Sequence, residues 1–195
     1  MINLYQIETR KTAGTGLSLE DDKLDLRKEV NFTQQMDLRK EVHHTADAVY
    51  ENLALRGRAT QSSIHLDSSV GYLGLGANAI DGNTDPNYFH GSCFHSSNDV
   101  GPWWRVDLLD SYHISNIIIT NRGDCCPERL NGAKIVFGNS LENDGKTNPS
   151  CGEITTLAAG ASQTFECDGM VGRYVIVYLP VQQYLHFSEI QIIGY

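Results

Sequence analysis

The sequence predicts an all-β domain, an antiparallel sandwich, over residues 51–195, behind a charged, partly helical extension over residues 1–50. Two observations carry this reading. From Glu51 onward, short β-branched or aromatic runs are divided by Gly, Asn, Asp and Pro, and no stretch combines helical length, a 3.6-residue period and caps. The first fifty residues, by contrast, contain neither Pro nor Cys and are rich in charge.

In the extension, Asp25-Leu26-Arg27-Lys28-Glu29-Val30 recurs as Asp37-Leu38-Arg39-Lys40-Glu41-Val42, a period of twelve. Twelve residues rotate a helix by about 120° per repeat, so the pair does not build a continuous coiled-coil seam. Leu26 with Val30, and Leu38 with Val42, form two short amphipathic turns. Residues 17–44 therefore read as partly helical, a linker or stalk more than an oligomerising helix, because two repeats bury little surface.

In the domain, Trp104, Val106 and Leu108 alternate with Arg105 and Asp107, the period of a half-buried strand. Ile114 to Thr120, Lys134 to Gly138, Tyr174 to Leu179 and Glu189 to Ile193 are further runs of strand length and strand composition. Long loops are expected between Thr60 and Gly101 and between Thr120 and Gly132. A rigid sandwich displays binding residues on such loops.

Charge excludes some partners. The chain has a net charge of −9, and residues 51–195 keep most of it with eight Lys and Arg against fifteen Asp and Glu. Nucleic acid and anionic membrane are disfavoured, and no run of eighteen apolar residues suggests membrane insertion. Cys93, Cys125, Cys126, Cys151 and Cys167 all lie in the domain, and Asn31-Phe32-Thr33 is a glycosylation acceptor pattern. Both favour an extracellular, secreted protein, although the first residues lack the basic start and apolar core of an export signal.

Around the second loop stand His95, then Arg122-Gly123-Asp124, the adjacent Cys125 and Cys126, and Arg129. Neighbouring Cα atoms lie about 3.8 Å apart, below the usual disulfide span, so a bond between Cys125 and Cys126 would close a strained eight-membered ring. Such a ring is a rigid apolar plate; the dipeptide alone is also compatible with two thiols or with partners elsewhere. Two guanidinium forks and an imidazole beside an apolar plate suit a sugar, whose hydroxyls need directed donors and acceptors and whose ring has a C–H face. The imidazole can donate from one nitrogen while its surroundings fix the other, and the sequence leaves the tautomer open.

The spacing of these residues, His95, twenty-six residues, Arg122-x-Asp124, four residues, Arg129, resembles the motif of the F-type lectins, the fucolectins. The resemblance extends over nearly all of residues 51–195, including Glu51-Asn52-Leu53-Ala54, Ala79-Ile80-Asp81-Gly82-Asn83 and Trp103-Trp104-Arg105-Val106-Asp107-Leu108. It implies an eight-stranded jelly roll of the galactose-binding, discoidin-like kind. It also implies non-catalytic binding of fucosylated glycans through the terminal α-L-fucose, in innate immune recognition, agglutination or adhesion. His95, Arg122 and Arg129 would hold the sugar hydroxyls, with Asp124 completing the motif and Cys125–Cys126 beneath the ring. Leu66, Val70, Tyr88 and Phe89 would surround the fucose methyl group, whose burial contributes about 0.8 kcal/mol. A calcium ion is implied as well, on Asn78, Asp81, Asn83, Ser92, the Ser188 carbonyl and Glu189; hard oxygen ligands favour Ca2+ over zinc.

One departure stands out. The family pairs the cysteine at Cys93 with one in the last strand, where this chain has Ser188 or Glu189, so Cys93 is expected to be an odd thiol, free or bridging two chains into a homo-oligomer. Cys151 and Cys167 remain as a pair, closing a loop of about seventeen residues worth roughly 3 kcal/mol. Two rival readings are weaker: Arg122-Gly123-Asp124 as an integrin-binding tripeptide, and Cys93 with His95 as a nucleophile and base lacking an orienting third group. A discoidin-like module for another glycan or a protein is the nearer alternative. His65, His90, His113 and His186 read as ordinary surface or loop histidines.

Overall fold

The computed structural model describes residues 48–195. The twelve-residue repeat, the helical expectation for 17–44 and the Asn31 sequon fall outside the described residues. Eleven strands occur in chain order: β1 (Glu51–Asn52), β2 (Arg58–Gln61), β3 (Phe94–His95), β4 (Asp99–Val100), β5 (Trp103–Thr120), β6 (Ala133–Gly138), β7 (Ser150–Ile154), β8 (Ser162–Tyr178), β9 (Gln182–Gln183), β10 (His186–Phe187) and β11 (Glu189–Gly194). Between them lie only short 3-10 turns, and no α-helix forms among the described residues.

The main sheet is antiparallel in the order β1-β11-β5-β8-β6-β7, with β2 also on β5. Its two long strands make the sandwich. The first half of β5 pairs with β2 and with Tyr174–Tyr178 of β8, whereas Asn116–Thr120 pairs with β11 and with Ser162–Glu166 of β8. Between the halves the register breaks, and Leu109 takes φ 74°. One sheet therefore doubles over, and both halves contribute to a single core, Trp104 and Val106 from one side and Ile117 and Ile119 from the other. The eleven exceed the implied eight because five of them, β1, β3, β4, β9 and β10, are pairings of only two residues, whereas β5 and β8 each run through both halves as one continuous element.

A second irregularity sets which side chains enter that core. Ile114 and Ile117 are both buried although a step of three along a strand turns side chains to opposite faces, and the bulge against β11, where Ile114 and Asn116 oppose the consecutive Gly194 and Ile193, absorbs the extra residue. A bulge of this kind is required, since a one-residue slip turns every later side chain to the other face. Cys151 and Cys167 are bonded with Cα atoms 5.2 Å apart, tying β7 to β8.

The first long loop is anchored at its start by the buried Trp104 indole, which donates to the Gly76 carbonyl at 2.9 Å and fixes the 3-10 turn Gly76–Ile80. Its far end runs into β3, which pairs with β10 so that His95 faces His186 and Phe94 faces Phe187. Continuing that register by one residue sets Ser188 opposite Cys93.

Candidate functional site

The second loop, between β5 and β6, is built around close backbone approach. Asn121 is fully buried and its amide donates to the Pro127 and Leu157 carbonyls, at 3.1 and 2.8 Å. Gly123 donates to the Pro86 carbonyl at 2.8 Å, and a Cβ at Gly123 would lie 2.8 Å from the Pro86 ring, so only glycine lets the two loops meet. Cys125 and Cys126 are bonded to each other, and Cys126 adopts the left-handed conformation (φ 55°) that opens the 3-10 turn Pro127–Leu130 bearing Arg129. Both cysteines remain partly exposed.

Arg122 is buried and forked onto Asp124, with Nε to Oδ1 at 2.9 Å and Nη2 to Oδ2 at 2.6 Å. Asp124 Oδ1 also accepts the Tyr88 N–H at 2.8 Å. Burial works against the charged form of Asp124, but the hydrogen bonds from Arg122 and Tyr88 outweigh it and hold the carboxyl below its ordinary range. Asp124 thus orients Arg122. The Arg122 guanidinium lies 4.5 Å over the Tyr88 ring, and that of Arg129 lies 4.6 Å over the Tyr184 ring.

His95 sits between them, 1% exposed. Its Nδ1 lies 2.7 Å from the Ser96 carbonyl, which can only accept. The proton of the neutral ring therefore sits on Nδ1 and Nε2 carries a lone pair. Burial, reinforced by the nearby His65, Arg122 and Arg129, pushes its pKa down to about 4, so the ring is neutral at pH 7. Of the two tautomers that the sequence leaves open, this geometry selects the one in which Nε2 offers an acceptor, beside the guanidinium donors of the two arginines.

The histidines read as ordinary include two that pack on this centre. His65 stacks on His95 with centroids 4.5 Å apart, and His186, fully buried, lies 4.9 Å from it, its ring nitrogens without hydrogen-bond partners. Burial drives the His186 pKa well down, so it too is neutral. Tyr88 and Tyr184 meet His95 edge-on, at 5.4 and 5.5 Å. Only strand pairing between β3 and β10 brings residues 184–186 here, and nothing local in the sequence signals it.

Of the four expected apolar residues, Tyr88 is 1% exposed and serves as the floor under Arg122 instead of an open wall. Leu66, Val70 and Phe89 are exposed. The rival readings fail on burial. Arg122 is 5% exposed and locked on Asp124, so the tripeptide is not displayed, and burial pushes the Cys93 thiol up to about 12, leaving no thiolate nucleophile. Cys93 is also fully buried, with Sγ 3.6 Å from the Pro86 carbonyl, which places it out of reach of another chain.

A second cluster lies behind the loop. Glu189 is fully buried at the start of β11; its Oε1 accepts the Gly82 N–H at 3.1 Å and its Oε2 has no partner. Burial pushes its carboxyl up to about 8, and Asp81 nearby adds to the effect. Asp81 itself caps the turn by accepting the Asn83 N–H at 2.8 Å. Ser92 is fully buried and its hydroxyl donates to the Asp85 and Asn87 carbonyls, while the Asn78 amide nitrogen donates to the Leu73 and Cys93 carbonyls. No group of three or more His, Cys, Asp or Glu side chains forms a metal cluster among the described residues. What is present is an orphaned buried carboxyl oxygen of Glu189 with a second carboxyl group, Asp81, near enough to act on it. That donor set fits a hard divalent cation.

The family model for a NedA-like, galactose-binding domain matches residues 78–177. Fucolectin-4 of Anguilla japonica is 54% identical over 151 residues, an alignment spanning 76% of this chain and 83% of the eel protein. The solved structure of a fucolectin from Morone saxatilis serum is similar with a TM-score of 0.71 and 47% identity, over 76% of this chain and 50% of the bass chain, so the match spans half of that protein. A Streptococcus pneumoniae fucose binding module matches with a TM-score of 0.63 and 26% identity, over 74% of this chain and 98% of the module. With half its residues identical over most of such a relative, and with a similar fold, the chain belongs to the fucolectins, the F-type lectins, and is a lectin and not an enzyme.

Proposed function

We propose that residues 51–195 recognise terminal α-L-fucose on glycans, binding without turnover. The observation that carries this is the convergence of one acceptor, His95 Nε2, with two guanidinium donors, Arg122 and Arg129, on an aromatic bed. A sugar hydroxyl both gives and takes a proton, and this set answers both needs at once. The bonded Cys125–Cys126 supplies an apolar plate for the C–H face of the ring. The exposed Leu66, Val70 and Phe89 suit the fucose methyl group, and relatives described as fucose binding support the same sugar.

In this reading a Ca2+ ion is held by Glu189, Asp81 and oxygens of Asn78, Asn83, Ser92 and Ser188. Bound there, it would supply charge compensation for the paired carboxylates and brace the loop that leads to His95. The two disulfides support an extracellular, secreted setting. Recognition there would serve agglutination, adhesion or innate immunity through several copies acting together, because single lectin sites gain strength by avidity.

The test is thermal stabilisation by methyl α-L-fucoside against methyl α-L-galactoside, which differs only by a hydroxyl on the fucose methyl carbon. Specific stabilisation by the fucoside is expected. Stabilisation by neither would point to the alternative, a discoidin-like module for another ligand.

A further inference from the structure

The two arginines are held in different ways. Arg122 has a carboxylate, Asp124, that fixes two of its nitrogens. Arg129 has none: among the described residues its guanidinium makes no ion pair, and what orders it is the Tyr184 ring 4.6 Å beneath. Tyr184 is in turn fixed edge-on against both His95 and His65, at 5.5 and 5.4 Å. The site is thus a continuous series in which Arg122 rests on Tyr88, Tyr88 and Tyr184 both abut His95, and Tyr184 carries Arg129.

We propose that Tyr184 is a positioning residue for sugar binding: its ring takes the part for Arg129 that Asp124 takes for Arg122, holding the guanidinium at the hydroxyls. Tyr184 lies outside the His-Arg-Asp-Arg motif, fifty-five residues after Arg129 in the chain. A long, flexible arginine loses rotamer freedom on binding unless it is already ordered, so a preset guanidinium binds the sugar at lower entropic cost. The proposal rests on the fucose reading for its ligand, although the placement of Arg129 does not.

The experiment compares wild type, Tyr184→Phe and Tyr184→Leu by calorimetric titration with methyl α-L-fucoside and by NMR of the arginine Nε–Hε groups. The Tyr184 hydroxyl has no hydrogen bond among the described residues, so Tyr184→Phe should retain most of the affinity. Tyr184→Leu should weaken binding about tenfold, the scale of a desolvated cation–π contact. The heteronuclear NOE of the Arg129 Nε–Hε group, which reports side-chain order whether or not a ring lies beneath it, should fall in Tyr184→Leu while that of Arg122 stays. Wild-type affinity in Tyr184→Leu, or weakened binding with an unchanged Arg129 NOE, would overturn the assignment, the latter because Tyr184 would then touch the sugar itself. If wild type bound no fucoside at all, the fucose reading would fall, and an unchanged Arg129 NOE in Tyr184→Leu would still decide against the positioning role.

Discussion

With calcium in excess, so that Glu189 is held ionised, lowering the pH from 7 to 5 should destabilise the domain while leaving its sugar affinity unchanged. The perturbation acts through His95, whose pKa falls from an ordinary value of 6.5 to about 4 in the fold. A histidine with a depressed folded pKa binds its proton less readily when native. Stability is therefore full above the unfolded value, declines as pH falls below it, and stops declining near pH 4. Between pH 7 and 5 the unfolded chain takes up most of one proton and the folded site almost none, a loss of about 2 kcal/mol. For a domain of this size that lowers the melting temperature by roughly 4–8 °C, and the buried His186 acts in the same direction. Over the same interval His95 in the folded protein remains neutral, Nε2 keeps its lone pair, and affinity stays flat until the pH nears 4. Melting curves and fucoside titrations at pH 7, 6 and 5 make the comparison, with His95→Gln expected to reduce the slope of stability against pH. If affinity declined in step with an apparent pKa near 6.5, His95 would be titrating as a solvated ring, and its role as a buried acceptor would be wrong.

Other outcomes follow from the same geometry. Arg122→Ala or Arg129→Ala should remove measurable fucoside binding in calorimetry with the domain still folded, since each strips charged donors worth about 1.5–3 kcal/mol per bond; wild-type affinity in either would refute the site. Asp124→Asn should weaken binding through the released Arg122 and lower the melting temperature, because the Tyr88 N–H and the guanidinium lose a charged acceptor. A calcium chelator should lower the melting temperature, and Asp81→Ala should mimic it. As the folded Glu189 carboxyl is raised to about 8, the chelated domain favours its protonated form and should lose stability as pH rises from 4.5 toward 8. An identical melting curve with and without chelator would remove the metal. Alkylation without reductant should leave the native protein unlabelled and, after denaturation, label Cys93 alone; labelling at Cys125 or Cys126 would exclude the plate.

The strands legible in the sequence were those that bury one face and alternate, such as Trp104 to Leu108, or that run apolar, such as Ile114 to Ile119. The first half of β8 was not. Ser162 to Glu166 places one apolar side chain, Phe165, among polar ones and leaves no alternation to read. The motif was legible because Arg122 to Arg129 occupy one loop, where spacing along the chain is spacing in the site. Residues 184 and 186 were not legible, since they reach His95 only through pairing of two-residue strands far apart in the chain, and His65 was not, since a loop backbone hydrogen bond, its N–H to the His95 carbonyl at 3.0 Å, brings it there. For Tyr88, composition identifies an aromatic residue near a site, whereas its burial beneath Arg122 depends on how the two loops close.

That closure, with Gly123 pressed on Pro86, means that the two loops cannot diversify separately. A bulkier residue in place of Gly123 would push the Pro86 segment aside, and with it Asp85 and Asn87, whose carbonyls hold Ser92 three residues before His95. A change of glycan preference is therefore open at Leu66, Val70 and Phe89, whose side chains are exposed to solvent. The seam beneath is closed to piecemeal change, so new specificities in this chain should arise by replacing what borders the sugar while the joint under it is passed on intact.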